Sequence, residues 1–77
     1  MELSTFIENF ANQFEETEVS EIKPDTVFKD LDEWCSLIAL SVIAMIDEEY
    51  DVTLKGDDIR SCNTVEDLFN IVQSRLA

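Results

Sequence analysis

The chain of 77 residues has no histidine, one glycine (Gly56), one proline (Pro24), two cysteines (Cys35 and Cys62) and only five basic residues. Without imidazole there is no His-based triad, no His-containing metal cluster and no side-chain proton shuttle poised near neutrality. Two thiols alone fall short of a four-ligand zinc site, and they build no disulfide framework. The scarcity of Gly and Pro removes the punctuation of a turn-rich β protein and favours helices. Eighteen Asp and Glu outweigh the cations to give a net charge of −13. That excess opposes contact with nucleic-acid phosphates or anionic membrane surfaces, so charged partners are expected to be basic. The longest apolar run is too short for a membrane span of about 20 residues, and no insertion is expected. Met1-Glu2-Leu3-Ser4 lacks the basic opening and apolar stretch of a secretory leader; a reducing cytoplasm is the expected setting.

What is present is enough to fold. Leu, Ile, Val and Phe make up 25 of the 77 residues, well above the roughly 20% below which a charged chain tends to stay disordered. The length allows one small domain over 1–77. Leu3, Phe6, Ile7, Phe10, Ala11 and Phe14 follow helical spacing with acids and amides off the stripe, which predicts a first helix whose core face ends near Phe14. A long connection follows, from about Thr17 to Cys35. Pro24 blocks a continuous helix there, and Val19, Ile22, Val27, Phe28 and Leu31 are read as anchors pinning it. Asp25 or Thr26 is a candidate cap for a short helical turn. Connections of this length are often functional.

The second helix is predicted from Ser36 to about Tyr50. A wheel assigns Ala39, Val42, Ile43, Ile46 and Tyr50 to its core stripe, leaving Leu37, Leu40, Ala44 and Met45 opposite. Nine of the ten residues from Leu37 to Ile46 are apolar. Tyr50, Val52 and Leu54 alternate, but a lone strand has no partner, and an extended return is expected. One short turn around Ile59 precedes a last helix, which Thr64 and Asp67 mark with a variant of the capping box. Val65, Leu68, Phe69, Val72 and Leu76 form its core stripe, and Arg75 suits the negative end of its dipole.

The acids are too numerous for any pair to single out a catalytic site, and they fall on polar faces rather than in the burial that raises a carboxyl's pKa. Asp30, Asp32 and Glu33 lack the glycine and the spaced final Glu of a calcium loop. The informative segment is Leu31-Asp32-Glu33-Trp34-Cys35-Ser36-Leu37. A hydroxyl at the mouth of a helix places any phosphodiester attached to it against free backbone N–H groups; the plainer reading makes Ser36 an ordinary N-cap. The exposed apolar patch beside it marks a binding face unless the long loop, through Val27, Phe28 or Trp34, covers it. Asp47, Glu48 and Glu49, with Asp51, Asp57 and Asp58, either steer the chain to basic surfaces or serve solubility.

Cys35-Ser36-Leu37 at a helix start, Asp47-Glu48-Glu49-Tyr50 at its end, and the distal cap Thr64-Val65 together resemble the acyl carrier protein family, whose usual attachment motif is Asp-Ser-Leu. The resemblance extends over essentially the whole chain and is strongest from Leu31 to Leu68. It implies a four-helix acyl-carrier-like bundle with a long first loop and a short third helix. It also implies a protein that catalyses nothing itself, acts as a monomer, and receives 4′-phosphopantetheine on Ser36 from a phosphopantetheinyl transferase. The arm then carries acyl or aminoacyl groups as thioesters to acyl-transferring or ligating enzymes with basic patches. By position, Ile46, Leu54, Ile59 and Cys62 line the cargo pocket between the second and third helices. Leu37, Leu40, Ala44, Met45, Asp47 and Glu48 form the face that partners read. The competing class is an unmodified acidic helical interaction module. Cys35 stands where the family has an acid, one residue is inserted between Leu31 and Ser36, and Ile38 and Ser41 occupy usual acidic positions. These departures lower the negative charge around the hydroxyl and point to a dedicated partner set. Cys35 is read as incidental, Cys62 as a small buried apolar residue, and Trp34 as packing under the loop.

Overall fold

The apolar spacing of the first segment produces α1 (Leu3–Ala11) in the computed structural model, which describes residues 2–76. It is followed by α2 (Ser36–Tyr50), α3 (Gly56–Ser61) and α4 (Val65–Arg75), making an all-α arrangement of four helices among the described residues. Two single 3₁₀ turns, Val19–Glu21 and Phe28–Asp30, interrupt the long connection between α1 and α2. Among the described residues the only extended pairing is an isolated antiparallel bridge between Val27 and Thr64.

The core is aromatic at both ends of α1. Phe6 is fully buried, edge-on to Phe69 of α4 at 5.5 Å between ring centroids and 5.8 Å from the Tyr50 ring at the end of α2. Phe10 meets Phe28 edge-on at 5.6 Å and lies parallel to Trp34 at 6.4 Å, while Phe28 and Trp34 meet at 4.8 Å. The long connection is thus built into the core through Phe28, with Ile22 also buried. α1 ends three residues before Phe14, which is nevertheless buried because its N–H bonds back to the Ala11 carbonyl in a tighter turn. Val19 and Val27 are exposed, contrary to the expectation that they anchor the loop. Backbone pairing does that work at Val27.

The first turn of α4 shows how the loop is held. Every helix leaves its first N–H groups without an internal partner. Here the Pro24 carbonyl accepts from Glu66 N–H at 2.9 Å and the Thr26 carbonyl accepts from Val65 N–H at 3.1 Å. Thr64 Oγ1 accepts from Asp67 N–H, and the Asp67 carboxylate accepts from the N–H of Thr64 and of Asn63, all at 3.1 Å. The expected capping box is therefore present. Thr26 caps no helix; its Oγ1 accepts from Lys23 N–H at 2.8 Å and closes the turn at Pro24.

α2 departs from its expected orientation. Its buried residues are Ile38, Val42, Met45 and Ile46. The core stripe is thus turned by about one residue, with Ala39 and Ile43 half-buried at its edge. Met45 is 6% exposed, which corrects its placement on the partner-facing surface. It falls three residues after Val42 and seven after Ile38, on the side of the helix that packs inward. The Ile38 position likewise belongs to the core rather than to an acidic surface. At the far end, Asp51 takes the left-handed conformation (φ 55°, ψ 39°), and its N–H bonds to the Asp47 carbonyl at 3.0 Å, stopping the helix. Val52 and Leu54 then bury as the chain returns in extended form to α3.

Candidate functional site

The segment leading into α2 is held from below. The Glu33 carboxylate accepts from the N–H groups of Glu15 (2.7 Å), Thr17 (2.9 Å) and Glu16 (3.1 Å), and from the Thr17 hydroxyl (2.9 Å). Desolvation pushes this carboxyl upward, but donors from Glu15, Thr17 and Glu16 outweigh it and hold Glu33 below its ordinary range. Glu33 is thus the clamp that fixes the exit of α1 to the approach of α2. Next to it, Trp34 lies against Phe10, Phe14 and Phe28, so its packing under the loop is as expected.

Cys35 then runs fully extended (φ −157°, ψ 175°) and stands at the N-cap position, with no side chain capping the helix. The Cys35 carbonyl accepts the first helical bond, from Ala39 N–H at 2.9 Å. Ser36 is consequently the first helical residue and not the cap, which removes the plainer reading of its hydroxyl. Ser36 is exposed. The uncapped N–H groups of the first turn and the positive end of a helix of 15 residues lie beside it, an environment that favours an anion.

Ser36 opens onto a cleft of about 520 Å³ between α2 and α3. Trp34, Ala39 and Ile43 contribute on the α2 side, Gly56 and Ile59 on the α3 side, with Lys29 and Arg60 also in the lining. Of the residues assigned to a cargo pocket, only Ile59 faces this cleft. Ile46, Leu54 and Cys62 are 0%, 3% and 0% exposed and lie in the core. Ala39 and Ile43 were missed, although their i+3 and i+7 spacing from Ser36 places them on the same helical face. Cys62 donates its thiol to the Asp58 carbonyl at 3.2 Å, and burial pushes its pKa up. Cys35 is exposed at the cleft.

α3, the far wall, is tied to the end of α4. Arg75 donates to both oxygens of Asp58 at 2.7 and 2.9 Å, and Lys55 N–H donates to the same carboxylate at 2.9 Å. The Arg75 guanidinium first, and the Lys55 N–H second, lower the Asp58 pKa to about 2.

Along the exposed side of α2, Leu37 and Leu40 are 71% and 63% exposed, Leu40 also lining the cleft, and Ala44, Asp47 and Glu48 are exposed with them. The loop does not cover this patch: Val27 is itself exposed, Phe28 is buried in the core, and Trp34 packs on phenylalanines. A second hollow of about 420 Å³ lies beside Glu33, with Glu16, Glu21 and Asp32 in its lining. Among the described residues no group of three or more His, Cys, Asp or Glu is placed to hold a metal ion, and no helix is long and apolar enough to cross a membrane. Compared with known proteins, the chain matches no family model, no curated protein and no solved structure.

Proposed function

We propose that this chain is a carrier protein of the acyl carrier type, acting on no substrate itself and bearing 4′-phosphopantetheine on Ser36. The observation that carries the reading is the placement of Ser36: exposed, first in α2, beside an uncapped helix N-terminus and on the rim of a cleft. A phosphopantetheinyl transferase attaches the arm, and the arm's thiol holds acyl or aminoacyl cargo as a thioester. Enzymes of fatty-acid or specialised acyl biosynthesis then dock basic patches on Asp47 and Glu48 and apolar contacts on Leu37, Leu40 and Ala44, all exposed on one helix. Such contacts form fast, are salt-sensitive and release readily, which suits a shuttle. The chain works as a cytoplasmic monomer in this reading.

The test is incubation of the purified protein with coenzyme A, magnesium and a broad-specificity transferase, followed by intact-mass analysis. One added arm is expected on the wild type and none on Ser36→Ala. An unchanged mass across several transferases overturns the assignment. It would favour the second reading, an unmodified interaction module, to which the exposure of Leu37 and Leu40 also lends itself.

A further inference from the structure

We infer that Lys29 is an anion-holding residue of the cleft, and that it receives the phosphodiester of the arm on Ser36 so that the arm rests along the α2–α3 cleft. The inference depends on the carrier reading and adds to it a binding residue on the loop.

Cations are scarce in this chain, five against eighteen acids, yet Lys29 and Arg60 both line the cleft that includes Ser36. Their states differ. Arg60 is paired with Asp57 on its own helix, both side chains being largely exposed. Among the described residues, ion pairs take up Arg60 and Arg75, and none takes up Lys29. Lys29 is nevertheless held in place. Its Nζ donates to the Arg60 carbonyl at 2.7 Å and lies 5.9 Å from the centroid of the buried Phe28 ring. An ammonium has three donors, so two remain after the bond to Arg60. A pre-positioned cation with spare donors, in a cleft shared with the attachment hydroxyl, complements a singly charged phosphodiester. It also counters locally the repulsion that a net charge of −13 exerts on any phosphate. The uncharged remainder of the arm then has Ala39, Ile43 and Ile59 to lie against.

The contact is partly exposed and is therefore screened by salt. That makes it a resting position from which partner enzymes can lift the arm.

The experiment uses protein loaded with an arm bearing a free thiol, so that no cargo competes with the arm for the cleft. Wild type, Lys29→Gln and Lys29→Arg are each driven to full loading, verified by mass, and their unloaded forms are compared by melting temperature to exclude misfolding. In the wild type, loading is expected to shift the Trp34 indole and the Ala39, Ile43 and Ile59 amide resonances. Lys29→Gln is expected to lose most of those shifts and to move the phosphorus resonance, and Lys29→Arg to restore them. Raising salt to several tenths molar on loaded wild type is expected to mimic Lys29→Gln, which supplies the test without a substitution. A wild type that takes no arm overturns both the carrier reading and this inference. Full loading with identical phosphorus and amide resonances in wild type and Lys29→Gln, insensitive to salt, overturns the inference alone.

Discussion

Two leucine-sized side chains on α2 separate what holds the fold from what stays exposed. Met45 is 6% exposed and Leu40 63% exposed, although both read as apolar residues of one face. Truncating a buried Met to Ala leaves a cavity and costs about 2–5 kcal/mol, whereas a surface truncation stays within about 0.5 kcal/mol. Met45→Ala is therefore expected to lower stability severely in urea unfolding, and Leu40→Ala to leave the midpoint nearly unchanged. Equal losses would return Met45 and Leu40 to one environment. A second residue-scale expectation concerns Asp58, whose carboxyl lies at about 2 against an ordinary 3.8 because Arg75 and the Lys55 N–H favour its charged form. A depressed folded-state pKa means that the native state binds fewer protons than the unfolded chain between those values. The stabilisation is thus fully present above about pH 4 and lost as pH falls toward about 2. Asp58→Asn should melt below wild type at pH 7, and the gap should close through that acid window. A gap independent of pH would mean that the carboxylate's charge plays no part.

At the scale of the elements, legibility followed the contrast between faces. α1 alternates apolar and polar residues at helical spacing, and its buried Phe6, Ile7, Phe10 and Ala11 stand where that spacing puts them. The Thr64–Asp67 box was equally readable, because a cap is written within four residues. α2 offers no such contrast: with apolar residues almost all round, the core stripe settled one residue away, on Ile38, Val42, Met45 and Ile46, under pressures that only the neighbouring helices supply. Ser36 at the start of α2 was visible for the same local reason as the cap. The clamp of Glu33 on residues 15–17 and the bond from Lys29 to Arg60 were not, since they join positions 16–18 and 31 residues apart. The end of α2 carries its own expectation. Asp51 holds a positive φ and puts a negative charge at the negative end of the helix dipole, two costs that Gly avoids. Asp51→Gly is expected to stabilise the protein by about 0.5–1 kcal/mol. Asp51→Asn removes the charge and keeps a side chain, so it should recover part of that gain. A destabilised Asp51→Gly variant in chemical denaturation would show that the Asp51 side chain makes a net favourable contribution to this turn.

For the molecule as a whole, the balance to be struck is between a small core and a large like-charged surface. A net charge of −13 is held within a Cα radius of gyration of 11.1 Å and principal extents of 33 × 23 × 20 Å. Only two ion pairs occur among the described residues, Arg60–Asp57 and Arg75–Asp58, so most of the acids repel one another without local relief. The Debye length is about 30 Å at 0.01 M salt, 10 Å at 0.1 M and 3 Å at 1 M. At the lowest of these nearly every acid feels every other, and at the highest only neighbours interact. Unfolding spreads the charges apart, so repulsion destabilises the compact state and screening should return that stability. The melting temperature is expected to climb steeply from 0.01 to about 0.1 M sodium chloride and more slowly toward 1 M. Magnesium should act at far lower concentration, as a divalent counterion does. The exposed Leu37 and Leu40 supply a competing route, since salt also favours apolar self-association, and a dimer is stabilised by mass action. The two are separable because screening leaves the melting temperature independent of protein concentration, whereas association raises it with concentration. A rise that is concentration-independent assigns the effect to the acids. A flat salt response would mean that their repulsion persists equally in the unfolded chain.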